Sequence, residues 1–404
     1  MILDYEKMHK RLLESVRRSK RIKKENKRLF EEFKKYLIVQ GCSDAHMYKL
    51  LSHLKKILEF VDYDLRKATK SQIEDIVAWV NQREISDETK RQYKIILKVL
   101  FKWLNGGEYP EQVKWLKTSS KSKNDKLPED LLTEDDVKRM IDAADNPRDK
   151  ALIALLWETG ARIGEIYDLK VGDFQDHTYG LQIVIRGKTG ARRLPLIESV
   201  PYIRAWLNAH PEKNNKDAPV WVNIGTKGKG KKVGYRALLK MLNEVAKRAG
   251  VDKPVNPHHF RHSRATYLAN RFTEAQMCEW FGWVQGSDVP ARYVHLSGRD
   301  IDVAYARIHG IKDEKVPDKS KLTPIDCPRC GEKNAPDARF CHRCGQALTL
   351  EAAMEVEEAE SKVLEAFASL KDGDVLKMLE FLTRLYRIAK QDPDVVRRLN
   401  VLDA

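Results

Sequence analysis

The sequence predicts a mainly α-helical chain with a small β-sheet: a helical N-terminal part, an α+β middle domain, and a C-terminal cysteine knuckle with a helical tail. Three observations predict this. Apolar residues recur at three- and four-residue steps between Phe33 and Trp103, as buried helix faces require. Residues 181–196 switch to alternation about a glycine-flanked turn, the mark of a hairpin. Four of the six cysteines crowd between Cys327 and Cys344.

The elements follow in order along 404 residues, enough for two or three domains that each bury a core. Residues 1–35 read as one basic helix, with 1–29 as its own N-terminal segment. Between Lys7 and Arg28 eleven Lys or Arg face only Glu14 and Glu25. Such a run is either a solvated, ion-paired face or a DNA-contacting arm. Residues 30–117 form a helical bundle, carried by Phe33, Leu37, Leu50, Leu51, Leu54, Ile57 and Leu58, then by Ile95, Ile96, Val99, Leu100 and Trp103. Residues 118–129 (with TSSKSKNDKLP) lack apolar periodicity and read as a linker.

The middle domain, 130–315, opens at Thr133 with Asp136 three residues on, a capping-box-like start. A helix from Arg148 to Glu158 ends at Gly160, suited to a left-handed cap. A helix from about Arg162 to Leu169 follows. Leu181, Ile183 and Ile185 alternate as a strand, Gly187-Lys188-Thr189-Gly190 turns, and Arg192, Leu194 and Leu196 alternate back. From Val200 to about Gly310 the pattern is mainly helical, interrupted by a basic loop at Lys227–Lys232. Residues 324–348 hold the cysteine knuckle. Residues 349–404 form a helical tail with Val375, Leu376, Leu379, Leu382 and Leu385 on one face, either a protomer contact or packing on its own domain.

Charge narrows the function. A formal net charge of +15 favours a polyanionic partner, nucleic acid or an acidic membrane surface. The basic N-terminal segment lacks the aromatic apolar face of a membrane-surface helix. No stretch of about 18 apolar residues occurs, and the opening MILDYEKMHK has no apolar signal core. A cytoplasmic chain with no membrane partner is expected, and the isolated Cys42 and Cys278 suit a reducing compartment.

Four segments look chemical. In Asn256-Pro257-His258-His259-Phe260-Arg261-His262, Asn is a favoured N-cap and Pro a favoured first helical residue. His258 then sits in the first turn with Arg261 on the same face, where free N–H groups and a guanidinium fork suit a phosphate. In Thr159-Gly160-Ala161-Arg162-Ile163-Gly164-Glu165, Arg162 points away from the apolar face of Ile163, Ile166 and Leu169, with Glu165 close enough to hold it. The third is Lys188 at the hairpin tip. The fourth is Phe281-Gly282-Trp283, followed ten residues on by Tyr293. Singly, each has an ordinary reading: a solvated helix start, a surface ion pair, a solvated lysine, a half-buried tyrosine.

In their order and spacing, ETGARIGE, IRGKTGARRLPL, NPHHFRHSRAT and FGW…ARYVHLSG resemble the catalytic domain of tyrosine recombinases, over about residues 130–310. Residues 30–116 look like that family's helical core-binding domain. Within the family the chain is most similar to archaeal integrases ending in YVHLSG. The resemblance implies Arg162, Lys188, His258, Arg261, Trp283 and Tyr293 as catalytic residues, Glu165 as the support of Arg162, and Tyr293 as the nucleophile. The three-residue step to Arg261 selects His258 over His259. Two departures stand out. Trp283 replaces the histidine commoner in bacterial relatives, so that position is expected to act by packing and one N–H donor. The gap from Trp283 to Tyr293 is one residue longer than usual, which leaves delivery of the tyrosine in cis or in trans open.

The chemistry fits these residue types. A phenol with a pKa of about 10 is a poor nucleophile until its proton is taken and the phosphate is neutralised. Arg162 and Arg261 would clamp the non-bridging oxygens. His258 would donate to the phosphate or take the tyrosine proton. Lys188 would protonate the departing 5′ oxygen. The product would be a 3′-phosphotyrosine, so rejoining needs neither ATP nor a catalytic metal.

Cys327-x2-Cys330 and Cys341-x2-Cys344, ten residues apart, have the spacing of a closed four-thiolate structural zinc site, with Gly331 and Gly345 permitting the tight turns. The segment resembles a zinc ribbon, which binds DNA or protein or staples a short segment. The expected function is a site-specific DNA recombinase, nucleoid-associated, that integrates or excises a mobile element and assembles as four protomers on double-stranded attachment sites. The rivals are type IB topoisomerase-like relaxation, chromosome-dimer resolution, and a non-catalytic zinc-ribbon DNA-binding protein, which would have no need of Tyr293.

Overall fold

A computed structural model describes residues 4–118, 130–187, 190–226, 228–296 and 320–368, with 305, 309 and 379. The chain divides into two compact units, before and after Leu127–Pro128.

The first unit holds helices α1 (Tyr5–Arg18), α2 (Lys24–Val39), α3 (Asp44–Phe60), α4 (Lys70–Gln82), α5 (Asp87–Leu104) and the short α6 (Glu111–Lys114). The expected single helix over 1–35 is corrected here. It breaks at residues 19–23, and the basic segment 1–29 is not separate from the bundle. Val16 and Ile22 both enter the core that contains Leu29, Phe33 and Leu37. Six residues apart, they would lie on different faces of one straight helix. The turn lets both pack inward and lets α1 fold against α3. Buried Asn26 fixes the start of α2, donating to the Tyr63 carbonyl at 2.8 Å and accepting from the Leu65 amide at 3.0 Å.

The second unit is built around α8 (Pro147–Thr159), whose residues Ala151–Thr159 are all buried. Asn146 caps its start, Pro147 occupies its first turn, and Gly160 ends it with φ +52°. Packed on α8 are α7 (Glu134–Asp142), which carries the Thr133–Asp136 capping box, together with α10 (Val200–Ala209) and α12 (Pro257–Ala269). Helix α9 (Ile163–Tyr167) leads to an antiparallel sheet of β1 (Phe174–His177), β2 (Gly180–Gly187) and β3 (Gly190–Leu196). Ile183 lies opposite Phe174 on one side and Leu194 on the other. The hairpin is as the alternation predicts, while the polar edge strand β1 gave no such signal. Helices α11 (Tyr235–Arg248), α13 (Glu274–Phe281) and α14 (Val289–Leu296) complete the body.

A two-stranded knuckle, β4 (Ile325–Asp326) with β5 (Lys333–Asn334), docks on this body. Leu322 is buried, buried Glu332 pairs with Arg204 of α10 at 2.6 Å, and Asp337 pairs with Lys138 of α7 at 3.0 Å. Helix α15 (Leu350–Ala368) follows. The apolar face expected at Val375–Leu385 falls outside the described residues apart from Leu379, as does most of the linker 118–129. No helix among the described residues is long and apolar enough to cross a membrane.

Candidate active site

The C-terminal end of α13 organises the site. An α-helix leaves its last carbonyls without intrahelical partners and carries partial negative charge there. Three consecutive carbonyls at this end each accept from a different arginine. Trp280 takes Nε of Arg192 at 2.8 Å, Phe281 takes Nη2 of Arg261 at 2.8 Å, and Gly282 takes Nη2 of Arg162 at 3.5 Å. Gly282 caps the helix at φ +60°, and the Trp280 indole N–H donates to the Thr159 carbonyl at 3.0 Å, tying α13 to α8.

Arg261 is buried and gives its second bond to the Gly160 carbonyl at 3.1 Å. A side chain at Gly160 would run into Phe281 Cε1 at 2.6 Å, so the left-handed turn and the close approach both call for glycine there. Burial first, then the neighbouring Arg162, push the Arg261 guanidinium down to about 10, which leaves it charged at neutral pH. Arg162 is the most open of the three arginines, its side chain 41% exposed, and it pairs with Glu165 at 3.2 Å.

Glu165 is nearly sealed from solvent. Arg192 grips both of its oxygens at 3.2 and 2.8 Å, and the Arg162 amide donates at 3.0 Å. Burial works to raise its carboxyl, but Arg192 and then Arg162 outweigh burial and hold it below the ordinary range. Gly187 lets β2 approach, since a Cβ there would strike the carboxylate. Three guanidiniums against one carboxylate leave a surplus of positive charge, the electrostatics of an anion site.

Tyr293 lies over this cluster within the same chain. Its ring stacks on Trp283 at 5.2 Å and 7°, and Trp283 stacks in turn on Phe281 at 4.8 Å. Arg261 sits 5.4 Å from the centre of the Trp283 ring. The phenol oxygen is 2.8 Å from Nδ1 of His262. Burial pushes the phenol above its ordinary value, against the pull of Arg261 and Arg292. On α12, Asn256 caps the first turn as its sequence suggests, and His258 is exposed there with Nε2 2.9 Å from Nε2 of His262. His259 turns inward instead, its ring 2.6 Å from the Asp130 carbonyl.

The structure thus brings together Arg162, Glu165, His258, Arg261, Trp283 and Tyr293, while Lys188 lies outside the described residues. Sequence reasoning missed Arg192 and His262. Arg192 alternates with Leu194 and Leu196 and so falls on the inward face of β3, a signal for a buried, paired arginine. His262 lies four residues after His258, one turn along the same helix face.

Residues 130–299 match the phage integrase family, and residues 323–349 match a domain of unknown function. The chain is similar to tyrosine recombinase XerA of Pyrococcus horikoshii, 26% identical over 260 residues that make up 63% of this chain and 84% of the relative. It is similar also to tyrosine recombinase XerD of Listeria monocytogenes, at 23% identity over 70% of this chain and 98% of the relative. The matched residues 130–299 carry a phage integrase domain, and the relatives that align with the chain are tyrosine recombinases. The chain shares its fold with XerH bound to its difH substrate after cleavage (TM-score 0.53, 21% identity, 67% of this chain and 82% of that one). A lambda integrase tetramer on a Holliday junction is comparable (TM-score 0.54, 16% identity, 68% and 78%).

Apart from this site, the chain gathers Cys327, Cys330, Cys341 and Cys344 with all four sulfurs within 4.8 Å of one another. Two pairs stand at 3.6 and 3.7 Å, close to the edge of about 3.8 Å in a tetrahedron with metal–sulfur bonds of about 2.3 Å. The two knuckles repeat one backbone pattern. Gly331 and Gly345 each donate to the carbonyl of the cysteine four residues before at 2.9 Å, both with positive φ. This donor set fits a closed tetrahedral ion with no position left for substrate.

Proposed function

We propose that Tyr293 is the nucleophile of this site-specific DNA recombinase, attacking a DNA phosphate held by Arg261 and Arg162. The observation that carries the reading is the phenol of Tyr293 stacked in cis on Trp283, beside an arginine cluster with uncompensated positive charge. The two guanidiniums neutralise the non-bridging oxygens and stabilise the pentacoordinate transition state. Glu165 and Arg192 position Arg162. Trp283 fixes the tyrosine ring by packing. Lys188, which lies in sequence between β2 and β3, protonates the departing 5′ oxygen. The 3′-phosphotyrosine conserves the bond energy, so rejoining follows without ATP.

The partners in this reading are double-stranded attachment sites and three further copies of the chain, and the biological outcome is integration or excision of a mobile element in the nucleoid of an archaeal cytoplasm. Zinc, bound by Cys327, Cys330, Cys341 and Cys344, has a structural part: it supplies folding free energy to the knuckle, which steadies α10 and α7 through Glu332 and Asp337.

The test is covalent capture. The full chain is incubated with a random duplex pool, and the enriched sequence is rebuilt as a nicked substrate that traps cleaved product. The wild type forms a denaturation-resistant adduct. Tyr293→Phe keeps DNA binding and forms none. An adduct in that variant would move the nucleophile elsewhere.

A further inference from the structure

The phenol oxygen of Tyr293 meets His262, a residue that the motif set leaves without a role. His262 faces the phenol with Nδ1 at 2.8 Å and faces His258 with Nε2 at 2.9 Å. The two histidines stand one turn apart on α12, so helix geometry aligns them. Together they form a continuous line from a buried hydroxyl to an exposed ring.

We propose that His262 is the base that takes the Tyr293 proton, and that it relays a proton to His258. This rests on Tyr293 as the nucleophile. A bond between two Nε2 atoms requires a hydrogen on one and a bare lone pair on the other. With its hydrogen on Nε2, His262 accepts from the phenol at Nδ1 and donates to His258. With its hydrogen on Nδ1, it donates to the tyrosine oxygen and accepts from His258. These two arrangements are the two ends of one transfer.

The step balances as follows. The Tyr293 oxygen bonds to phosphorus and its proton passes to Nδ1 of His262. The proton on Nε2 moves to His258, which ends as an imidazolium. The bond from phosphorus to the 5′ oxygen breaks, and that oxygen takes its proton from a separate acid, the Lys188 ammonium. Rejoining reverses each transfer. The relay has a physical reason. An imidazolium left at His262 would sit against the buried Tyr293 phenol, which already faces the charges of Arg261 and Arg292, whereas His258 is exposed and water solvates its charge.

The experiment uses the full chain and the nicked duplex obtained by covalent capture. His262→Asn keeps a polar amide near the place of Nδ1 but has no second ring nitrogen to pass a proton on. Its adduct should form about 10²–10⁴-fold more slowly, the usual contribution of a general base, with DNA affinity and melting temperature unchanged. A fluorinated tyrosine at position 293, whose phenol ionises near neutral pH, should restore most of the rate lost in His262→Asn. His258→Ala should slow the same step, and added imidazole should recover it at this exposed position. A His262→Asn rate equal to the wild type, or a loss that the fluorinated tyrosine leaves untouched, overturns the proposal while the tyrosine adduct itself stands. An adduct in Tyr293→Phe overturns instead the nucleophile assignment beneath it.

Discussion

Replacing Arg192 by methionine removes two hydrogen bonds from Glu165 and one from the Trp280 carbonyl, while keeping much of the apolar stem. The Glu165 side chain is 4% exposed and would retain only Arg162, itself 41% exposed. Removing one partner of a buried ion pair costs about 3–5 kcal/mol, because the other charge stays buried without compensation. At about 2–4 °C per kcal/mol for a unit of this size, melting should fall by roughly 6–20 °C. Adding Glu165→Gln deletes the stranded charge, so the double variant should melt above Arg192→Met alone. The pH dependence carries a sign. The Glu165 carboxyl is held below its ordinary value in the fold, so its contribution is complete above the unfolded value of about 4.3. That contribution is lost as pH falls through the folded value, and the gap between wild type and Arg192→Met should narrow as the pH drops below about 4. Calorimetry of the full chain at several pH values reads all three effects. An Arg192→Met chain that melts with the wild type, or a deficit indifferent to Glu165→Gln, would refute the reasoning.

Two further outcomes follow from the same geometry. Gly160→Ala meets both a left-handed backbone, costing about 1–2 kcal/mol, and the Phe281 ring, where overpacking costs about 1–3 kcal/mol. It should lower melting and slow adduct formation, because the displaced carbonyl no longer holds Arg261; unchanged melting would show that the turn relaxes. With zinc held by the four cysteines as proposed, its removal by chelation should unfold residues 324–348, because a structural zinc site of this kind supplies about 10 kcal/mol of folding free energy. It should cost the catalytic body a few degrees of melting through the lost Glu332–Arg204 contact yet preserve cleavage of an isolated half-site, and metal analysis without zinc would remove the site.

Much was legible in the sequence because the rules that set it are local. Caps at Thr133 and Asn256, the stop at Gly160, the hairpin about Gly187 and Gly190, and the paired cysteines all depend on residues within a few positions of each other. So does the choice of His258 over His259, which rests on the three-residue step to Arg261; in the fold His259 turns inward and His258 is exposed. The break between α1 and α2 was not legible. A run of basic residues looks the same on either side of a turn, and only the bundle core shows that Val16 and Ile22 need one. Strand β1 was missed because a four-residue polar edge has no inner face to alternate. The site was decided by tertiary structure. Arg192 and Arg162 reach the end of α13 across 88 and 120 positions of sequence, and Tyr293 meets His262 across 31. The sequence supplied the charged groups and their order. Which carbonyl, carboxylate or ring each one faces was set by how α8, α12, α13 and β3 pack, because a buried charge must find its partner wherever the fold brings one within reach.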